Sequence, residues 1–96
     1  ESIIYEAYGP GGCAMIIEAL TSNKNKAAQE VKHILSINGH SIASPGSALW
    51  AFKREGTEWK PISTVDLSDV DLEALNKLFE ALEESDEVQE VFTNVE

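Results

Sequence analysis

Cysteine is nearly absent from this chain: Cys13 is the single one among 96 residues. One thiol excludes an intrachain disulfide, and with no charged-then-apolar leader ahead of it the expected setting is a reducing one, the cytoplasm or, in a eukaryote, the mitochondrial matrix. Long apolar runs are missing as well, far short of the roughly 20 residues of a membrane span. No membrane partner is expected. Positive charge is scarce, 7 Lys and Arg against 17 Asp and Glu for a net charge of −10, which on its face argues against nucleic acid because phosphate binding is largely electrostatic.

The placement of the charge points the other way. Residues 1–54 hold four acids and five bases, net +1, and residues 55–96 hold thirteen acids and two bases, net −11. Lys24, Lys26, Lys32, Lys53 and Arg54 stand together against one acid, Glu30, with His33 and His40 nearby. Asymmetry inside one domain says more about partners than the total does. A chain of this length is expected to form one domain, 1–96, without a second independent core.

Little in the sequence supports catalysis. Cys13, His33 and His40 fit no zinc-ligand spacing. Glu6 and Glu18 are carboxylates in neighbouring strands, yet no nucleophile or paired histidines accompany them. A non-enzyme with no cofactor and no metal is expected, and a small-molecule substrate is not.

Ser2 to Tyr8 alternates and is rich in β-branched and aromatic residues, which predicts a strand. Cys13 to Leu20 is apolar at nearly every position except Glu18, the pattern of a strand covered on both faces and the best candidate for the central one. Between them Gly9, Pro10, Gly11 and Gly12 make either a tight corner or a place where another molecule approaches bare backbone. Ser22, Asn23 and Asn25 offer N-caps to a helix whose apolar positions run from Ala27 to Leu35, with Asn38 and Gly39 as its C-cap. Ser47 to Arg54 alternates as a strand with Trp50 and Phe52 on one face, Trp59 to Val65 reads as a strand weakened by Pro61, and Val88 to Val95 as the last strand. Ser68 and Asp71 mark the start of a second, outwardly acidic helix that ends near Glu84.

This order predicts an α+β fold, a ferredoxin-like plait with an antiparallel sheet of four to five strands and two helices packed on one face. One conflict is built in, because the plait flanks its first core strand with later strands while the hairpin places Ser2 to Tyr8 beside it.

Two stretches are candidate contact sites. Asn23, Lys24, Asn25 and Lys26, with Lys32 and His33, put cations and free backbone amides at a helix start, where anions are favoured; ordinary capping and solvated lysines are the plain alternative. The second is Tyr8 with the loop Gly9, Pro10, Gly11 and Gly12, whose spacing fits neither the P-loop nor the dinucleotide fingerprint.

Tyr5-Glu6-Ala7-Tyr8-Gly9-Pro10-Gly11-Gly12, then Glu18-Ala19-Leu20-Thr21-Ser22-Asn23-Lys24-Asn25-Lys26 and Glu30-Val31-Lys32-His33, resemble the landmarks of the YebC/PmpR family. Gly46-Ser47 and the closing stretch from Asp86 to Asn94 look like the same family's later landmarks. Ala7 stands where that family usually has glycine, and lysines replace arginines at 24, 26 and 32, keeping charge but losing the planar bidentate fork. The resemblance implies the family's middle domain, without its leading basic helical domain and without the third domain usually inserted between the strands near Lys53 and Trp59. It also implies a regulatory role with nucleic acid. Some members of the family are described as DNA-binding transcriptional regulators, and others act in translation, on mitochondrial synthesis of a cytochrome c oxidase subunit or on ribosomes stalled at proline runs. Ribosome or RNA is thus the first expected partner and DNA the second; a structural hub that positions neighbouring domains is the third reading.

Overall fold

The computed structural model describes residues 2–96. In chain order its elements are β1 (Ser2–Tyr8), a 3-10 turn at Pro10–Gly12, β2 (Ala14–Leu20), α1 (Lys24–Ile37), a 3-10 turn at Leu49–Ala51, β3 (Phe52–Glu55), β4 (Glu58–Pro61), α2 (Asp69–Glu83) and β5 (Val88–Thr93). The first two strands form an antiparallel hairpin, Tyr8 opposite Ala14 and Ser2 opposite Leu20. On its other edge β2 pairs antiparallel with β5, with a register shift between Glu18 and Ala19. The strand without a polar face is therefore the central one.

Both faces of β2 are covered. Met15 and Ile17, with Cys13 just before the strand, project to one side and pack with Val31 and Leu35 of α1 and Leu75, Leu78 and Leu82 of α2. Ala14 and Ile16 project to the other side, against Ala48, Ala51 and Phe52, with Tyr8, Leu49, Trp59 and Phe92 closing the rim. Side chains alternate across a strand, so one seven-residue segment seeds two cores. Truncating Ile17, which is fully buried, to alanine removes about 2–5 kcal/mol of stability.

The α+β class holds, with both helices on one face. The strands divide, however, into a three-stranded sheet β1-β2-β5 and a separate two-stranded sheet β3-β4, where one plait sheet of four to five strands was expected. Each outer edge of the first sheet meets a connecting segment in place of β3. The outer edge of β1 is taken by an isolated bridge between Ala7 and Ile42 and by the Ala43 N–H donating to the Glu6 carbonyl at 2.7 Å. At the far edge Val65 bridges Val95 just past the end of β5. The β3-β4 hairpin lies instead across the sheet face opposite the helices, which resolves the conflict over the β1-β2 hairpin.

Two strands are shorter than their patterns suggest. Residues 47–51 are turn and 3-10 helix. A side chain from β1 holds this turn: the Glu6 carboxylate accepts from Gly46 N–H at 2.7 Å, Ala48 N–H at 2.8 Å and Leu49 N–H at 2.9 Å, while Ser47 and Ala51 N–H donate to the Ser44 and Ala48 carbonyls. Trp50 and Phe52 consequently do not share a face; Trp50 is 58% exposed and Phe52 5%. The β4 strand stops at Pro61, a residue with no N–H for a ladder.

Candidate nucleic-acid interface

Asn23 sits in extended backbone, and its Oδ1 accepts the Lys26 N–H at 3.1 Å, satisfying one of the free donors of the first turn of α1. From that cap the helix runs back along the sheet, burying Ala27, Val31 and Leu35. At about 100° per residue the opposite face carries Asn25, Lys26, Gln29, Lys32, His33 and Ser36, all exposed. Lys24 lies off this strip toward Tyr5, whose phenol burial pushes to a higher pKa while the Lys24 charge opposes the rise. Glu30, the one acid of α1, turns the other way and accepts from Ser85 Oγ at 3.2 Å. The outer strip of α1 thus carries no carboxylate.

The helix ends in a Schellman turn: Gly39, with φ of 85°, lets its N–H reach the Ser36 carbonyl at 3.0 Å while the His40 N–H reaches the Leu35 carbonyl at 2.8 Å. The turn sends His40, Ser41 and Ile42 back beside α1. A groove of about 400 Å³ between them is lined by Lys32, Ser36, His40, Ser41 and Ile42, and a shallower one of about 270 Å³ by Gln29, Lys32, His33 and Ser36. They share Lys32 and Ser36. Gln29, Ser36 and Ser41 were not legible as site residues, and His40 was legible only as a neighbour of the basic cluster and a poor metal ligand. The signal for them was the Asn38-Gly39 cap, which fixes the direction in which the chain returns.

The glycine loop lies elsewhere. It sits at the opposite end of β2 from Asn23–Lys26, about 20 Å away for seven residues of strand. Pro10 and Gly9 are buried, and the loop bonds itself: Gly9 N–H to the Cys13 carbonyl at 2.8 Å, Gly12 N–H to the Gly9 carbonyl at 3.0 Å, and Cys13 N–H to the Pro10 carbonyl at 3.4 Å. A Cβ on Gly11 would come within 2.5 Å of Leu67 Cδ2 and 2.9 Å of Asp71 Oδ2. The loop packs on the acidic start of α2, a poor setting for a phosphate. Tyr8 faces the second core, donating to the Ser47 carbonyl and accepting from Trp50 Nε1 at 2.8 Å.

Arg54 and Lys60 belong to the β3-β4 hairpin, apart from α1. Arg54 lies over the Trp59 ring, 5.0 Å from its centroid, and 3.8 Å from Glu18, while Lys60 pairs with Glu58 at 2.9 Å. Among the described residues no group of three or more metal-ligating side chains occurs, and no helix is long and apolar enough to cross a membrane.

Comparison with known proteins gives consistent matches. A family model described as the TACO1/YebC second and third domain matches residues 1–57 and 55–95. A probable transcriptional regulatory protein of Fervidobacterium nodosum is 52% identical over 91 residues, 92% of this chain and 35% of the relative. One from Kosmotoga olearia, with the same description, is 40% identical over 94% of this chain and 36% of its own length. The chain spans about a third of the length of these relatives. A crystal structure of a conserved hypothetical protein from Aquifex aeolicus superimposes with a TM-score of 0.90 at 25% identity, over all of this chain and 65% of that one. The two matched segments meet at residues 55–57, the β3-β4 turn.

Proposed function

This chain belongs to the TACO1/YebC family of regulatory proteins, and from that premise we propose that it is a non-enzymatic, cytoplasmic regulatory module that acts in translation, docking on ribosomal or transfer RNA through the outer face of α1. The observation that carries the reading is charge segregation. Lys26, Lys32 and His33 share an exposed helix face free of carboxylates, in a chain of net charge −10 whose acids lie mostly beyond residue 54. Such a distribution orients the molecule in the field of a polyanion, with the cationic strip of α1 toward it.

A second reading has its own support in the name shared by the bacterial relatives, probable transcriptional regulatory protein. On that reading the same face meets duplex DNA, and the parts of the family's length beyond this chain supply most of the affinity.

Ribosome co-sedimentation beside duplex-DNA binding, both across a salt series, separates the two. Changing Lys24, Lys26 and Lys32 together to glutamate abolishes ribosome binding on the first reading. Ribosome binding indifferent to that reversal removes the α1 assignment, and tight duplex binding by this chain at physiological salt reverses the ranking.

A further inference from the structure

The groove beside α1 is better built than a merely basic surface. Its two parts are continuous through Lys32 and Ser36 and extend along about 10 Å of helix from Gln29 to Ser36. One ammonium, two imidazoles, two hydroxyls and a carboxamide line it, with Ile42 as its one apolar wall and no carboxylate among the lining residues. Both walls are fixed before any ligand arrives. His40 is held by its N–H bond to Leu35, Ile42 by its bridge to Ala7, and the next residue by Ala43 N–H to the Glu6 carbonyl. The groove backbone is therefore tied to α1 and β1, and the ordering cost of binding falls on the side chains alone.

We propose that this groove is a binding site for a single-stranded RNA segment. Lys32, with His33 and His40, takes the phosphodiester; Ser36, Ser41 and Gln29 offer paired donors and acceptors to ribose hydroxyls and base edges; Ile42 gives a ribose or base an apolar surface. The negative end of the α1 dipole lies nearby, but its half charge is smaller than the full charge of Lys32 and is spread over the last turn. Shape selects the single strand. A recess on the flank of a helix offers hydrogen bonds and an apolar wall to a splayed nucleotide, whose base edges and 2′-hydroxyl are free, whereas a duplex presents it with phosphates alone and leaves Gln29, Ser41 and Ile42 without base or ribose to contact. This site rests on the RNA-docking reading above and narrows it from a face to a groove.

The test is fluorescence anisotropy of a labelled single-stranded oligoribonucleotide of about seven residues across a salt series, with the 96-residue chain and its variants. Lys32→Glu should weaken binding by about tenfold or more and flatten the salt dependence, while Lys77→Glu, which makes the same change in net charge on α2, should leave it near that of the parent. Ser36→Leu, which fills the groove and leaves every charge in place, should weaken it too. Thermal melts check that all three variants fold. Equal losses for Lys32→Glu and Lys77→Glu, no loss with Ser36→Leu, equal competition by duplex DNA, or no oligoribonucleotide binding by the parent would each overturn the proposal. If oligoribonucleotide binding ignores these groove changes while ribosome co-sedimentation still needs the α1 lysines, the groove fails and the docking reading stands. If oligoribonucleotide maps to the groove but ribosomes do not bind, the ribosome reading fails and the groove stands.

Discussion

At the scale of single residues the glycine loop and the thiol beside it have structural roles that can be measured. Gly11 and Gly12 both have positive φ, 69° and 79°, but only Gly11 is crowded, by Leu67 and Asp71. Gly12→Ala should cost about 1 kcal/mol for the left-handed backbone alone, and Gly11→Ala about 2–4 kcal/mol because α2 must also shift; urea midpoints of the two variants give the difference directly. Cys13 is fully buried, and burial, ahead of the nearby Asp71 charge, pushes its thiol above the ordinary value of 9.0. Tyr5 is raised by burial in the same way from 10.0. Both folded groups hold protons that the unfolded chain releases, so stability is intact below about pH 9 and falls as pH rises through about 9 and 10. Denaturation at about pH 7, 9 and 10 should show that decline, and Cys13→Ala should remove its first part.

Among the elements, what was legible was local and what was hidden was not. The alternation of β1, the doubly apolar β2 and the 3.6-residue stripes of both helices depend on neighbours in sequence, and each could be read in place. Residues 47–51 alternate like a strand, but the Ala48 and Leu49 donors belong to Glu6, some forty residues earlier; periodicity carries no trace of such a partner. The groove was hidden for a related reason, since Ser41 and Ile42 join α1 only because Gly39 turns the chain and Ala7 receives it. The candidate site was half legible: the α1 cations were visible as a cluster, while the glycine loop, the second candidate stretch, lies at the far end of β2. The start of α1 also combines two roles that substitution can separate. Asn23→Ala should cost about 1 kcal/mol of stability by removing the cap, whereas the exposed Asn25→Ala should leave stability within about 0.5 kcal/mol. Paired melts of the two variants check this.

For the whole molecule, the central question is whether two cores behave as one. The helix-side core and the hairpin-side core have no residues in common but are built on the same seven residues of β2, and Asn94 ties them to the sheet end, its Oδ1 accepting from Ala14 N–H at 2.7 Å and its Nδ2 donating to the Ser63 carbonyl at 2.8 Å. Loss of β2 from either core exposes the other. The β3-β4 connection needs only Gly56 and Thr57, with Gly56 at φ of 63° to turn the chain, so the hairpin closes on itself at the point where the two family segments meet. A single cooperative transition follows from this construction. Trp50 and Trp59 both lie in the hairpin layer and report it by near-ultraviolet circular dichroism, while α1 and α2 dominate the far-ultraviolet signal. The two melting curves of the 96-residue chain should coincide, with a calorimetric enthalpy equal to the van't Hoff value. An earlier loss of the aromatic signal would mean that the hairpin layer draws its stability from parts of the family's length beyond this chain, and that β2 couples the two cores less tightly than its burial on both faces implies.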